Sequence, residues 1–239
     1  GRLPAAGSLP ALPGASAVET KATVTAQPTI TVQSDTLKLR IDLRGGSVVD
    51  AELLTYPLEK KPGSTNVHLL TTDPGQLFLA QSGWLGDAGL PAPTHESLFR
   101  TEDGRSEYRL ADGASTLEVP LVWTDAASGI TVRKTLVLTR GSFAVTTRQT
   151  VSNTGAAAWR AYPYEQLLRI APPPPPKHAG LTNPDSFSFV GASWYSPENK
   201  FEKRKFDEFS DDGQPVPLDL TVAGGWYAMQ QHHFVAAWV

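Results

Sequence analysis

Five histidines, His68, His95, His178, His232 and His233, are the natural starting point for chemistry in this sequence. An imidazole that shares a cleft with a carboxylate can move a proton near neutral pH, and an imidazole can ligate a metal. Only His232 and His233 are close in sequence, and successive residues of a strand point to opposite faces, so one site cannot use both. Their spacing also does not match the usual metal-ligand sets. There is no cysteine, which excludes a disulfide framework and a thiolate metal site. The serine elbow G-x-S-x-G, the Walker phosphate loop and G-x-G-x-x-G are all absent. These residues predict no catalytic centre, no metal and no cofactor.

Aromatic and charged residues concentrate late in the chain. Lys200, Lys203, Arg204 and Lys205 are interleaved with Phe201 and Phe206, a composition that resembles a nucleic-acid patch. Glu198, Glu202, Asp207 and Glu208 surround them, and the whole chain carries a net charge of -3 with a pI near 6.0. The expected result is a solvated, salt-bridged face, with no nucleic acid among the partners. Exposed aromatics in this segment would favour a protein contact, which makes Trp194, Tyr195, Phe201, Phe206 and Phe209 the candidate partner-binding residues. Trp84 reads as a plug folded back from a Gly- and Pro-rich loop, Ser82 to His95.

The elements that must position these side chains read as strands. Over Ser106 to Val151 four short strands are separated by three turn signals: Asp112-Gly113, the loop Asp125 to Gly129, and Arg140-Gly141. Apolar residues take every second position there, at Leu117, Val119, Leu121 and Trp123, then Ile130 and Val132, then Leu136 and Leu138. Sequential strands with short connections pair antiparallel, so this meander forms the middle of an antiparallel structure. A hairpin precedes it, with Leu37, Leu39, Ile41 and Leu43 before Gly45-Gly46 and Val49, Ala51 and Leu53 after. Val67 to Thr71 and Gln76 to Gln81 give two more strands. Strands are also expected around Trp159, over Gln166 to Ile170, over Phe187 to Ala192, and at Phe234, Ala236 and Trp238. Ser196-Pro197-Glu198 has helix-start chemistry and predicts a short helix from Pro197 to about Lys205.

Gly1 to Pro28 is Ala- and Pro-rich with almost no large apolar residue, so it reads as a flexible linker (1–28) before one domain (29–239). Pro172 to Pro176 is an extended run that marks a surface loop and a rigid spacer. The apolar alternation is still running at Val239, and further strands are expected beyond it.

Five stretches, in order, resemble the large periplasmic domain of the YidC membrane-protein insertases of Gram-negative bacteria. They are ITVQSDTLKLRIDLRGGSV, LFLAQSGWLG, LEVPLVWTDAASGITVRKTLVLTRGSFAV, GASWYSPENKFEKRKFD and GGWYAMQQHHFVAAWV. The resemblance covers Ile30 to Val239 and implies an all-β, antiparallel β-supersandwich similar to the galactose mutarotase-like fold, with at most one or two short helices. It implies a place on the periplasmic side of the bacterial inner membrane, tethered only through transmembrane helices outside this sequence. The implied role is a non-catalytic scaffold of an insertase and chaperone. It would contact the SecDF accessory complex and the Sec translocon through Ser186 to Val239, and meet membrane-protein substrates through the full-length protein. An extended chain held in the sandwich cleft belongs to the same reading. The contrasting reading is a carbohydrate-binding or mutarotase-like domain, which would need a His and a carboxylate facing one open pocket.

Overall fold

The structure, a computed structural model, describes residues 28–171, 189–211, 214–216, 218, 224–231 and 233–239. Residues 1–27 of the expected linker, the proline run, His178 and His232 fall outside those residues. Among the described residues, apart from two short 3-10 turns, Asp87–Gly89 and Phe206–Phe209, the regular structure is all strand.

A seven-stranded sheet forms one layer. It is built from β1 (Thr29–Gln33), β2 (Leu37–Asp42), β3 (Ser47–Pro57), β4 (Asn66–Leu70), β5 (Phe78–Gly86), β7 (Glu107–Arg109) and β11 (Ala161–Arg169). The predicted first hairpin is β2–β3, turned by Gly45 and Gly46, both at positive φ of 73° and 61°. A side chain at Gly45 would meet the His95 backbone at 2.5 Å, so glycine is required there both by conformation and by space.

A four-stranded antiparallel sheet faces it, in the order β10 (Val145–Asn153), β9 (Ile130–Thr139), β8 (Thr116–Asp125), β6 (Arg100–Thr101). The meander predicted over Ser106 to Val151 is present as β7 to β10, with one difference. β7 leaves it and pairs parallel with β1, which buries Tyr108 in the opposite layer, and the Tyr108 hydroxyl donates to Asp103. Between the layers lies the core, in which Val32, Ile41, Val119, Leu121 and Val132 are wholly buried. Apolar side chains at every second position of β2, β8 and β9 supply it, because a sheet buries one face per strand.

A third sheet holds β13 (Lys200–Lys205), β12 (Gly191–Ser196), β16 (Trp226–Gln231) and β17 (Phe234–Trp238), all antiparallel in that order. Met229, Phe234 and Ala236 pack against the main core, so its inner face continues the sandwich. A two-stranded ribbon, β14 (Ser210–Asp211) with β15 (Gln214–Pro215), follows the second 3-10 turn.

Four local expectations are corrected. The segment from Pro197 to Lys205 is a turn and strand β13 in place of a helix. Its start signal is real, since Ser196 Oγ accepts the Asn199 N–H at 3.0 Å, but Lys200 then takes a positive φ of 63° and sends the chain back along β12. The strand expected at Phe187 to Ala192 lies at Gly191–Ser196, and residues 187 and 188 are outside those described. Trp84 sits inside β5, not in a loop, because β5 runs to Gly86 in register with β11. Trp159 precedes β11 and is not part of a strand; its indole N–H donates to Pro91 O at 2.8 Å.

Candidate functional site

The third sheet carries all five candidate partner-binding residues or leads into them, and its pleat divides them. Cross-strand register aligns Trp194 with Tyr227 and Glu202, and Tyr227 in turn with Trp238, so these share the inner face. Trp194 is buried, and its indole N–H donates to Glu202 Oε2 at 2.8 Å. Tyr195 is the next residue and therefore points outward. It stacks on Trp226 at 6.4 Å, and Phe201, half exposed, lies 6.0 Å from the same indole. Tyr195, Phe201 and Trp226 form an aromatic platform on the outer face. Phe206 turns the other way, under the Arg169 guanidinium, which also covers the ring of buried Phe78. Phe209 is half-buried beneath Arg204. Sequence reasoning missed Trp226, although its place one strand away from Tyr195 follows from the pairing of β12 with β16.

His95 and His68 form no open acid–base site. His95 is 6% exposed, its backbone N–H donates to Tyr164 Oη at 2.9 Å, and its Nδ1 lies 2.6 Å from the same oxygen. Because Oη already accepts from the backbone, its own proton is directed to Nδ1, leaving Nε2–H toward Glu96 at 3.4 Å. Burial lowers the His95 pKa and raises that of Tyr164, so both are held neutral. This arrangement pins the loop after β5 to β11. His68 makes an exposed pair with Asp50 at 3.1 Å on the outer face of the seven-stranded sheet. Among the described residues no cluster of three or more potential ligands could hold a metal.

One buried polar group carries a chemistry that the sequence reading passed over. Lys134 is 1% exposed and points between the two main layers from β9. Its Nζ lies 2.6 Å from Gly45 O, 3.1 Å from Ser82 O and 2.9 Å from Ser82 Oγ, with the Phe99 ring 5.1 Å away. Burial pushes its pKa down to about 7, partly offset by the charge of Glu165. A serine hydroxyl beside a lysine amine with a lowered pKa is the pairing of a Ser–Lys nucleophile. Here both groups are sealed in the core, since Ser82 is 4% exposed, so no substrate reaches them. The pair ties the β2–β3 turn to β5 and β9. A signal existed: Ile130, Val132, Lys134, Leu136 and Leu138 keep one period-two register, which places Lys134 on the inner face.

Between the edges of β10 and β17 runs a groove of ≈ 650 Å³, floored by Leu39, Leu53 and Leu69 and walled by Val145, Phe234 and Trp238. Tyr56 packs against Phe143 and Phe234 beside it, at 5.6 and 5.8 Å. Glu165 and His233 also line it. Two ionisable groups in a mainly aliphatic and aromatic lining are not the convergent polar set that sugar hydroxyls demand.

Comparison with known proteins adds a family to this geometry. Residues 29–239 match the family described as the YidC periplasmic domain. A protein named membrane protein insertase YidC from Stenotrophomonas maltophilia (strain R551-3) is 42% identical, over 97% of this chain and 39% of its own length. One of the same name from Xanthomonas campestris pv. campestris (strain 8004) is also 42% identical, over 99% of this chain and 39% of its own. A third, from Xanthomonas oryzae pv. oryzae (strain PXO99A), is 40% identical over 100% of the chain and 38% of its own. The chain thus spans about two fifths of the length of these relatives.

Proposed function

The chain belongs to the YidC periplasmic domain family, and from that premise we propose that it is the periplasmic scaffold of an inner-membrane protein insertase. In this reading residues 1–28 are the linker from a membrane anchor and 29–239 belong to the folded periplasmic domain. The domain catalyses no reaction. It holds the SecDF accessory complex of the Sec translocon beside the membrane-embedded part of the insertase, which handles the membrane-protein substrates.

The observation that carries the contact role is the outward platform of Tyr195, Trp226 and Phe201. Phe201 is 50% exposed and Tyr195 and Trp226 are partly exposed beside it, which leaves apolar area on this face for a partner. Trp194 lies on the opposite face of the same strand as Tyr195, and Phe206 and Phe209 lie under Arg169 and Arg204. The sealed Ser82–Lys134 pair and the aliphatic groove support a non-enzymatic reading over a sugar-active one.

The test is capture of solubilised SecDF by the immobilised chain, compared between wild type and Phe201→Ser combined with Tyr195→Ser. Capture by the wild type that drops at least tenfold in the double variant, at unchanged thermal midpoint, is the expected result. Equal capture by both would overturn the platform as the contact. A saturable change in Trp fluorescence with simple sugars, without SecDF capture, would replace the scaffold reading by the carbohydrate one.

A further inference from the structure

The basic residues around β13 are sorted by the pleat in a way the composition conceals. Glu202 and Arg204 face inward and are engaged, Glu202 by the Trp194 indole and Arg204 by Val216 O at 3.3 Å. Phe201, Lys203 and Lys205 face outward and are exposed. Lys203 Nζ rests 4.8 Å from the Phe189 ring, and Asp207 and Glu208 follow on the 3-10 turn. Of the acidic neighbours in the sequence, Glu202 is turned to the other face, while Glu208 lies at the end of β13, where its carboxylate accepts the Lys205 N–H.

β13 is also the end strand of its sheet, with β12 its one partner among the described residues. Two observations fix which backbone groups it leaves open. A side chain on Gly191 would meet Arg204 O at 2.3 Å, so Arg204 turns its backbone toward β12. The Lys205 N–H instead donates to Glu208 Oε2 at 2.8 Å, away from β12. Alternation then directs the N–H and C=O of Phe201 and Lys203 to the open edge. The same two residues, with Lys205, put their side chains on the outer face beside Trp226.

We infer that the open edge of β13 accepts an extended segment of a protein partner as an added strand, with acidic side chains opposite Lys203 and Lys205 and an apolar one beside Phe201. Main-chain hydrogen bonds to residues 201 and 203 provide the attachment, as in other strand-addition interfaces. Cross-strand neighbours on one face lie about 5 Å apart, so opposite charges there are favourable and like charges are not. Lysines on an edge strand otherwise discourage pairing, which makes the edge selective for an acidic segment. This inference rests on the outer face of the third sheet being the contact surface, and it adds how a partner would attach.

The experiment titrates the chain, at moderate salt, with three fluorescent peptides: acetyl-Thr-Glu-Thr-Glu-Thr-Val-Thr-amide, whose two Glu and one Val share a face, its lysine counterpart, and the acidic peptide N-methylated at alternate residues. The acidic peptide should bind at least tenfold tighter than the lysine peptide, and N-methylation should remove that binding by blocking the added ladder. Lys203→Glu with Lys205→Glu should reverse the charge preference. Lys203→Pro removes one outward N–H without touching the pairing to β12, and should abolish binding at unchanged circular dichroism. Binding that survives N-methylation, wild-type binding by Lys203→Pro, or no binding of the acidic peptide would each overturn strand addition. The SecDF capture assay separates this from the platform itself. Capture lost in Phe201→Ser but kept in Lys203→Pro leaves the contact surface standing and overturns strand addition, whereas capture unaffected by either overturns both.

Discussion

The layer interface between β2 and β8–β9 and the third sheet are built on the same period-two strand pattern, yet they use it to opposite ends. In the first, the large apolar residues are concentrated on one face, where Leu39, Ile41, Val119 and Leu121 are no more than 2% exposed, with Val122 and Val137 buried on the other. In the third sheet, aromatic residues stand at successive positions, Trp194 with Tyr195 and Trp226 with Tyr227, so rings emerge on both faces. One sheet face can be buried against a single neighbouring layer, and the second must find other cover. Among the described residues the third sheet buries just two hydrophobic side chains, Trp194 on the inner face and Ala228, paired with buried Ser193, on the outer. Stability is concentrated in the first region, and unsatisfied apolar area in the second.

Substitutions that disturb the first region should have the largest effects. Phe99 is 2% exposed and packs against both the core and the Lys134 ammonium. Phe99→Ala should cost about 3–5 kcal/mol, read as a lowered urea midpoint at unchanged slope. A loss under about 1 kcal/mol would mean that the core relaxes around the cavity and that the two regions differ less than their burial implies.

Lys134 gives the next effect, expressed through pH. Its folded-state pKa of about 7 lies below the ordinary value of 10.5, so between those limits the unfolded chain binds more protons than the native one. The contribution of Lys134 to stability therefore rises with pH from about 7 toward 10.5, and is at its least favourable below 7, where the buried amine must carry charge. Lys134→Met removes that term. The stability of the variant relative to wild type should be most favourable at or below pH 7 and fall by a few kcal/mol toward pH 10. Parallel pH profiles for the two proteins would show that the amine titrates normally and is not sealed in the core.

The strands of the sandwich were legible because one-sided burial writes itself into alternation: β2, β3, β8 and β9 follow the apolar positions of the sequence closely. Legibility failed where a local signal competed with pairing. Ser196-Pro197-Glu198 carries a true side-chain cap, but the pairing of β13 with β12 outweighs one turn of helix. It failed again where partners are remote in sequence. The parallel pairing of β7 with β1 and the bonds from Lys134 to Gly45 and Ser82 join residues 52 or more positions apart, and nothing in a single strand encodes its distant neighbour. The aromatic set around Trp194 was identified by type alone, and type does not fix direction. Adjacent residues in β12 had to be sorted by the pleat before one became support and the other surface.

That sorting yields the smallest effect and the sharpest comparison. Trp194→Phe keeps an inward ring but deletes the indole N–H that satisfies Glu202. A lost hydrogen bond to a half-buried carboxylate should destabilise by about 1 kcal/mol, with the outer platform left in place. Tyr195→Phe, one residue on, keeps the outward stacking on Trp226 and should change stability by less than about 0.5 kcal/mol. The comparison is then between neighbours of nearly equal size. If chemical denaturation gives the larger loss to Trp194→Phe while both variants still capture SecDF, Trp194 is support and the aromatic faces are distinct. If Tyr195→Phe costs more, the outer face is itself packed, and apolar area on the third sheet is not available to a partner.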